Sequence, residues 1–206
     1  MVQDIPSPID FTDIVQARAW VADTVARRPS RPHFLNAFCA PLTSHFDGLI
    51  RIAELGSGPG HLAHEILRNC PVQSYTALDF SPALHEIAQE YLGDIAPSVR
   101  FIVADFRVPD WPREIGEVDA LVTMQAMHEV RHKSRLPPLL KRAHETIRPN
   151  GLLLYCDHYV ETGTGKNAEL HVTREEQPEL LAKAGFNPVS LVHEEDSMAL
   201  YAAVRP

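Results

Sequence analysis

Apolar residues cluster without strict alternation over 49–55, 75–80, 99–104, 118–124 and 151–156, the pattern of strands buried on both faces. Between these runs, 60–69, 82–92 and 134–147 carry apolar positions at helical spacing. The last is closed by Pro149-Asn150-Gly151, a helix stop and turn. Strands and helices in alternation predict a parallel sheet with right-handed crossovers. The rhythm breaks near the C-terminus. A helix over 173–184, capped by Thr173 with Glu176 three residues on and left at Gly185, precedes strands at 188–194 and 198–204. Only Glu195-Asp196-Ser197 separates those strands, too few residues for a crossover, so they must pair as an antiparallel hairpin. The expected fold is α/β: a doubly wound, seven-stranded, mostly parallel sheet with a C-terminal antiparallel hairpin and helices on both faces.

Ahead of the first strand, Phe11, Ile14, Val15, Ala19, Trp20 and Val21 predict a helix over 10–26, ended by the break from Pro29 to Pro32. A second short helix is expected over 33–46, with Pro41 interrupting it. At 206 residues the chain suits one domain: 1–46 as an N-terminal helical cap or lid and 47–206 as the core. His33, Phe34, Asn36 and Phe38 are candidates for closing over a ligand, although aromatics at helical spacing more often belong to a core.

The first strand ends in Glu54-Leu55-Gly56-Ser57-Gly58-Pro59-Gly60, with three glycines spaced two apart before a helix. Such density suits a backbone that takes positive φ or lets a ligand approach, and the helix start adds unpaired N–H groups. Asp79 ends the second run nineteen residues after Gly60, where a carboxylate can accept from both ribose hydroxyls. Together these predict a cradle for a nucleotide-type cofactor.

Composition narrows the partners. With 27 acids and 19 bases the net charge is −8, which disfavours nucleic acid and anionic membranes. The N-terminal residues lack the basic start and apolar core of a signal peptide, and no segment is apolar for long enough to span a bilayer, so a cytoplasmic location is expected. Cys39, Cys70 and Cys156 have neither zinc spacing nor an even count, which favours reduced packing thiols. His61 and His64, three apart, read as a polar helix face rather than a metal site.

With these elements placed, residues 49–206 resemble the class I, Rossmann-like S-adenosylmethionine-dependent methyltransferases of the small-molecule type. Glu54 to Gly60 looks like the family's first motif, and Ala77-Leu78-Asp79-Phe80-Ser81 like its second. Asp105 and Phe106 match its adenine contact, and Val118 to Gln125 its fourth strand. The resemblance implies S-adenosylmethionine as cofactor, held by Glu54, Gly56, Ser57, Gly58, Gly60, Asp79, Phe80, Asp105, Phe106 and Gln125. An NAD-type oxidoreductase shares the glycine loop and ribose acid. The acid beside the loop, suited to a zwitterion and sulfonium rather than to a pyrophosphate, and the final hairpin favour methyl transfer. A non-catalytic cofactor-binding partner protein is the other alternative.

The cofactor carries the hard chemistry, and the protein must align the acceptor and exclude water. A base is needed only where the acceptor is bound protonated. The resemblance points to His128, after the fourth strand, as the residue that positions or deprotonates it; capping the next helix is the structural alternative. Glu129 could do the same job or be a solvated helix-start acid, and Asp157, His158 and Tyr159, leaving the fifth strand, are candidates for the acceptor pocket. The polar segment 161–167 reads as a turn or a flap. The additional ligands of the metal-assisted branch have no counterpart here, so no metal is expected. No Asn-Pro-Pro-Tyr or Asp-Pro-Pro-Tyr run follows the fourth strand, which disfavours base methylation. A small-molecule acceptor is expected, its identity, the atom methylated and a homodimer being left open.

Overall fold

The computed structural model describes residues 4–162 and 168–206. Helices α1 (Ile14–Arg27), α2 (Arg31–Ala37) and α3 (Cys39–His45) precede the sheet. Then follow β1 (Ile50–Leu55), α4 (His61–Asn69), β2 (Val72–Asp79), α5 (Pro82–Leu92), β3 (Val99–Val103), α6 (Trp111–Ile115) and β4 (Val118–Met124). The chain ends through α7 (Leu136–Thr146), β5 (Ile147–His158), α8 (Glu176–Lys183), β6 (Val189–Glu195) and β7 (Met198–Val204). The strand order is β3-β2-β1-β4-β5-β7-β6, with β7 antiparallel to both of its neighbours and the remaining pairs parallel. This is the expected sheet. No helix among the described residues is long and apolar enough to cross a membrane.

Alternate residues of each central strand face opposite layers, as the pleat requires. Leu121 packs with Trp111, Leu139 and Leu181 from α6, α7 and α8, while Ala120 and Val122 pack with Phe34, Leu42 and Ile66 from α2, α3 and α4. Phe34 and Phe38 are fully buried in that second layer, so α2 and α3 belong to the core. The expected helix over 33–46 is split between them, with Pro41 in the first turn of α3, where its missing N–H costs no helical bond. Two expectations about turns resolve differently. Thr173 and Glu176 form the reciprocal cap, the Thr173 N–H donating to Glu176 Oε2 (2.7 Å) and the Glu176 N–H to Thr173 Oγ1 (3.3 Å). Pro149-Asn150-Gly151 lies within β5 instead of outside it, because Asn150, at φ 58°, bends the strand while its N–H donates to Arg205 O. The β6–β7 turn places Asp196 and Ser197 at φ 49° and 55°, the left-handed pair a two-residue hairpin requires.

At the edge of the sheet where β4 begins, Asp119 accepts from Arg51 Nε (3.1 Å) and Arg148 Nε (2.5 Å). Burial alone would raise this carboxyl, and the two guanidiniums overcome it and hold it down at about 2. The stabilisation is therefore present above the unfolded carboxylate value of about 3.9 and is lost as pH falls towards 2. Both arginines remain partly exposed, which discounts the pair. Asp119→Asn is expected to cost about 2 kcal/mol, a fall in Tm of roughly 4–8 °C at neutral pH that shrinks at pH 2–3, as calorimetry would read.

Candidate active site

The carboxyl ends of β1, β2, β4 and β5 open on one crevice, where ligands bind in parallel α/β sheets. Its floor is the loop after β1. Gly56, Gly58 and Gly60 all have positive φ (68°, 53° and 83°). At Gly56 a Cβ would lie 2.3 Å from Ala126 Cβ, so the two loops touch only because the side chain is absent. At Gly58 a Cβ would meet nothing within 4 Å and would project into open space. Asp79 ties this loop to the next: its Oδ2 accepts from the Gly58 N–H (2.8 Å) and its Oδ1 from the Ser81 N–H (2.9 Å). Burial outweighs these bonds and pushes the carboxyl up to about 6. Glu54, at the end of β1, is buried and accepts from the Tyr75 hydroxyl (2.7 Å). Burial, helped by the Asp79 charge, pushes it up to about 8 against the Tyr75 bond and the Arg31 charge.

The far wall is built by the ends of β4 and β5. Gln125 leaves β4 at φ 56°, and its side-chain oxygen accepts from Arg31 Nη1 (2.8 Å). Its Nε2 donates to His158 Nε2 (2.9 Å), which fixes the amide's orientation and makes that ring nitrogen an acceptor. Burial pushes His158 down to about 4, the neutral form this contact needs. His128 follows on a short helical turn. Its Nδ1 donates to Asp157 Oδ1 (2.7 Å) and its backbone N–H to Asp157 Oδ2 (2.9 Å), so one buried carboxylate holds both ring and backbone. Burial works against the imidazolium, but Asp157 and then Glu129 overcome it, and the pKa of His128 is raised well above its ordinary value. Glu129 also accepts from Arg131 Nη1 (2.9 Å). Among the described residues, His128, Asp157 and His171 form a cluster able to offer a metal one donor atom each, within 4.8 Å of one another. His128 and Asp157 already use their facing atoms on each other.

The N-terminal segment crosses the crevice. Ile5 and Pro6 carbonyls accept from the Arg131 guanidinium (2.6 and 2.7 Å), Ser81 Oγ donates to Phe11 O, and Phe11 stands edge-on to Trp20 and Phe80.

Of the residues expected at the cofactor and acceptor sites, Glu54, Gly56, Ser57, Gly58, Asp79, Phe80, Phe106, Gln125, His128 and Glu129 line this single cavity. Gly60 lies just behind it and caps α4. Asp105 is not on its wall: Arg107 grips both carboxylate oxygens, Nε donating to Oδ1 (3.0 Å) and Nη2 to Oδ2 (2.6 Å), and the pair borders a neighbouring cavity under residues 4–11. Asp157 sits behind His128, and His158 faces an adjoining cavity. Tyr159 turns away, its hydroxyl bonded to Glu194. Residues 163–167 of the expected flap lie outside the described residues. The sequence reading missed Phe11, Trp20, Arg28, Arg31 and His61, all on the cavity wall. His61 sat at the helix start after a glycine loop, a usable signal; the two arginines, in a proline-rich break, carried none.

A parallel sheet of this order with a reversed strand, a glycine-rich loop after β1 and a buried acid at the end of β2 defines the Rossmann-like class. Residues 52–151 match the family described as a methyltransferase domain. An uncharacterized methyltransferase of Oceanobacillus iheyensis is 24% identical over 133 residues, 65% of this chain and 58% of that protein. An O-methyltransferase family protein from Burkholderia thailandensis superposes with a TM-score of 0.75 at 16% identity, covering 94% of this chain and 60% of that one. Human N-acetylserotonin methyltransferase in complex with S-adenosylmethionine gives 0.60 at 19% identity, with 92% and 59% covered. The chain thus spans about three fifths of the length of each protein it matches here. Over residues 52–151 the chain is thus similar to that methyltransferase domain family, and its fold is the one these methyltransferases share.

The residues present fit that family's cofactor. Gly58 leaves space that a side chain would fill, and Arg31, whose Nε is buried without a partner, lines the cavity together with Glu54. A buried acid and a buried base on one wall complement the ammonium and carboxylate of a methionine moiety.

Proposed function

We propose that the protein transfers a methyl group from S-adenosylmethionine to an oxygen, nitrogen or carbon of a small-molecule acceptor. The observation that carries this reading is the His128–Asp157 pair, 2.7 Å apart, standing on the same cavity as the glycine cradle. The bound cofactor would supply a methyl carbon activated by a cationic sulfur. Gly56 to Gly58 and Asp79 would hold the nucleoside, and Glu54 and Arg31 the two charges of its amino-acid end. His128, oriented by Asp157, would position the acceptor and take its proton where it has one. Residues 4–27 would serve as the lid that excludes water. The net charge of −8 and the missing base-methylation run support a small acceptor over nucleic acid, and a cytoplasmic location belongs to the same reading.

Thermal shift with S-adenosylhomocysteine and with NADH tests the reading. At 100 times its Kd, S-adenosylhomocysteine should add about 2.7 kcal/mol, a rise of roughly 5–11 °C, and NADH should add nothing. A shift with NADH alone would return the chain to the oxidoreductase reading.

A further inference from the structure

Arg28, in the break between α1 and α2, and Arg31, at the start of α2, both line the crevice, and neither forms an ion pair with a carboxylate among the described residues. Other arginines beside the crevice do meet one: Arg107 and Arg131 pair with Asp105 and Glu129. A desolvated cation without a counter-charge is costly, and such a cost is sustained where a ligand supplies the charge. Arg31, beside Glu54, is matched by the cofactor's carboxylate. Arg28 remains.

Its guanidinium is partly buried, and desolvation lowers its pKa in spite of the Asp157 charge. Its contact is Nη1 to His158 Nε2 at 2.9 Å, and Gln125 Nε2 approaches the same nitrogen at 2.9 Å. That nitrogen has one in-plane lone pair for two donors, so His158 cannot satisfy both. The other Arg28 N–H groups have no partner among the described residues. Arg28, Arg31 and Gln125 also line a second cavity, continued by Ser30, His158 and Met198, which adjoins the cofactor crevice. Asp196, the acid on its rim, is exposed and forms no ion pair with Arg28. The His158 ring lies 6.1 Å from the His128 ring, so one small molecule can reach from Arg28 to the His128–Asp157 pair.

We propose that this second cavity receives the methyl acceptor and that Arg28 selects an acceptor bearing a carboxylate, held by charge-assisted hydrogen bonds. The inference rests on the methyltransferase reading and adds the acceptor's chemical class.

The test uses the whole chain with S-adenosylhomocysteine bound, titrated calorimetrically with benzoate and with its neutral counterpart benzamide. Saturable benzoate binding at least tenfold tighter than benzamide is expected. Arg28→Gln should abolish that preference while keeping S-adenosylhomocysteine affinity within about threefold, and Arg28→Lys should restore part of it. Retained S-adenosylhomocysteine binding shows that the variants fold. Equal binding of benzoate and benzamide, benzoate that competes with S-adenosylhomocysteine, or an Arg28→Gln variant that loses the nucleoside instead of benzoate would each overturn the proposal. Failure of the wild type to bind S-adenosylhomocysteine would strike the methyltransferase reading itself, a separate result.

Discussion

His128→Ala is expected to slow methyl transfer roughly 10²–10⁴-fold while leaving S-adenosylhomocysteine affinity within about threefold. On the proposed reading the imidazole faces the acceptor, and one buried carboxylate holds its Nδ1 at 2.7 Å and the His128 backbone N–H at 2.9 Å. Because Asp157 and Glu129 raise its pKa, the neutral form that accepts a proton grows in only as pH rises through that elevated value. The rate should therefore climb with pH on a limb alkaline of the ordinary histidine value of about 6.5. Asp157→Asn removes the charge that raises the pKa and leaves the burial that lowers it. The limb should move towards acid and the plateau should fall, since the imidazolium formed in the transfer loses its counter-charge. Dialysis against a chelator should leave the rate unchanged, because the proposed transfer routes no step through a metal. Turnover of the His128→Ala protein within twofold of wild type would remove the residue from the chemistry and leave it a loop support.

Asp79→Ala should weaken S-adenosylhomocysteine binding by about a hundredfold or more, as isothermal titration would show. On the proposed reading the carboxylate accepts from the ligand's ribose, and it serves the protein by joining the Gly58 and Ser81 N–H groups. Its loss leaves both donors unpaired and should also cost about 1–3 kcal/mol of stability. Asp79→Asn keeps an acceptor oxygen and should fall between the two. Glu54 and Asp79, raised to about 8 and about 6, add a pH signature. Ligand binding favours their ionised forms, so affinity should decline as pH falls from about 8 to below about 6. A Kd independent of pH over that range, with Asp79→Ala unimpaired, would place the nucleoside elsewhere.

The central strands were legible because each is apolar on both faces, a pattern that only a sandwiched parallel sheet supplies. The final hairpin followed from a linker too short for a crossover, and Asp196 and Ser197 take the positive φ values its turn needs. The shape of the loop after β1 was legible for a related reason: its glycines take the positive φ that their density implied, and Asp79 ties the loop down. Asp105 shows the limit of such reading, since its match to an adenine contact could not reveal the Arg107 beside it that grips the carboxylate.

Sequence by itself determined the sheet, its reversed strand and the loop after β1, because burial periodicity and glycine conformation act within a few residues along the chain. Only the tertiary structure decided that Arg28 and Arg31, from a proline-rich break, stand against Gln125 and His158, and that Asp157 backs His128 across 29 residues. Those contacts depend on how α1, α2 and the ends of β4 and β5 converge in space. Their strength comes from shared burial, which removes competing water and which no local pattern of residues encodes.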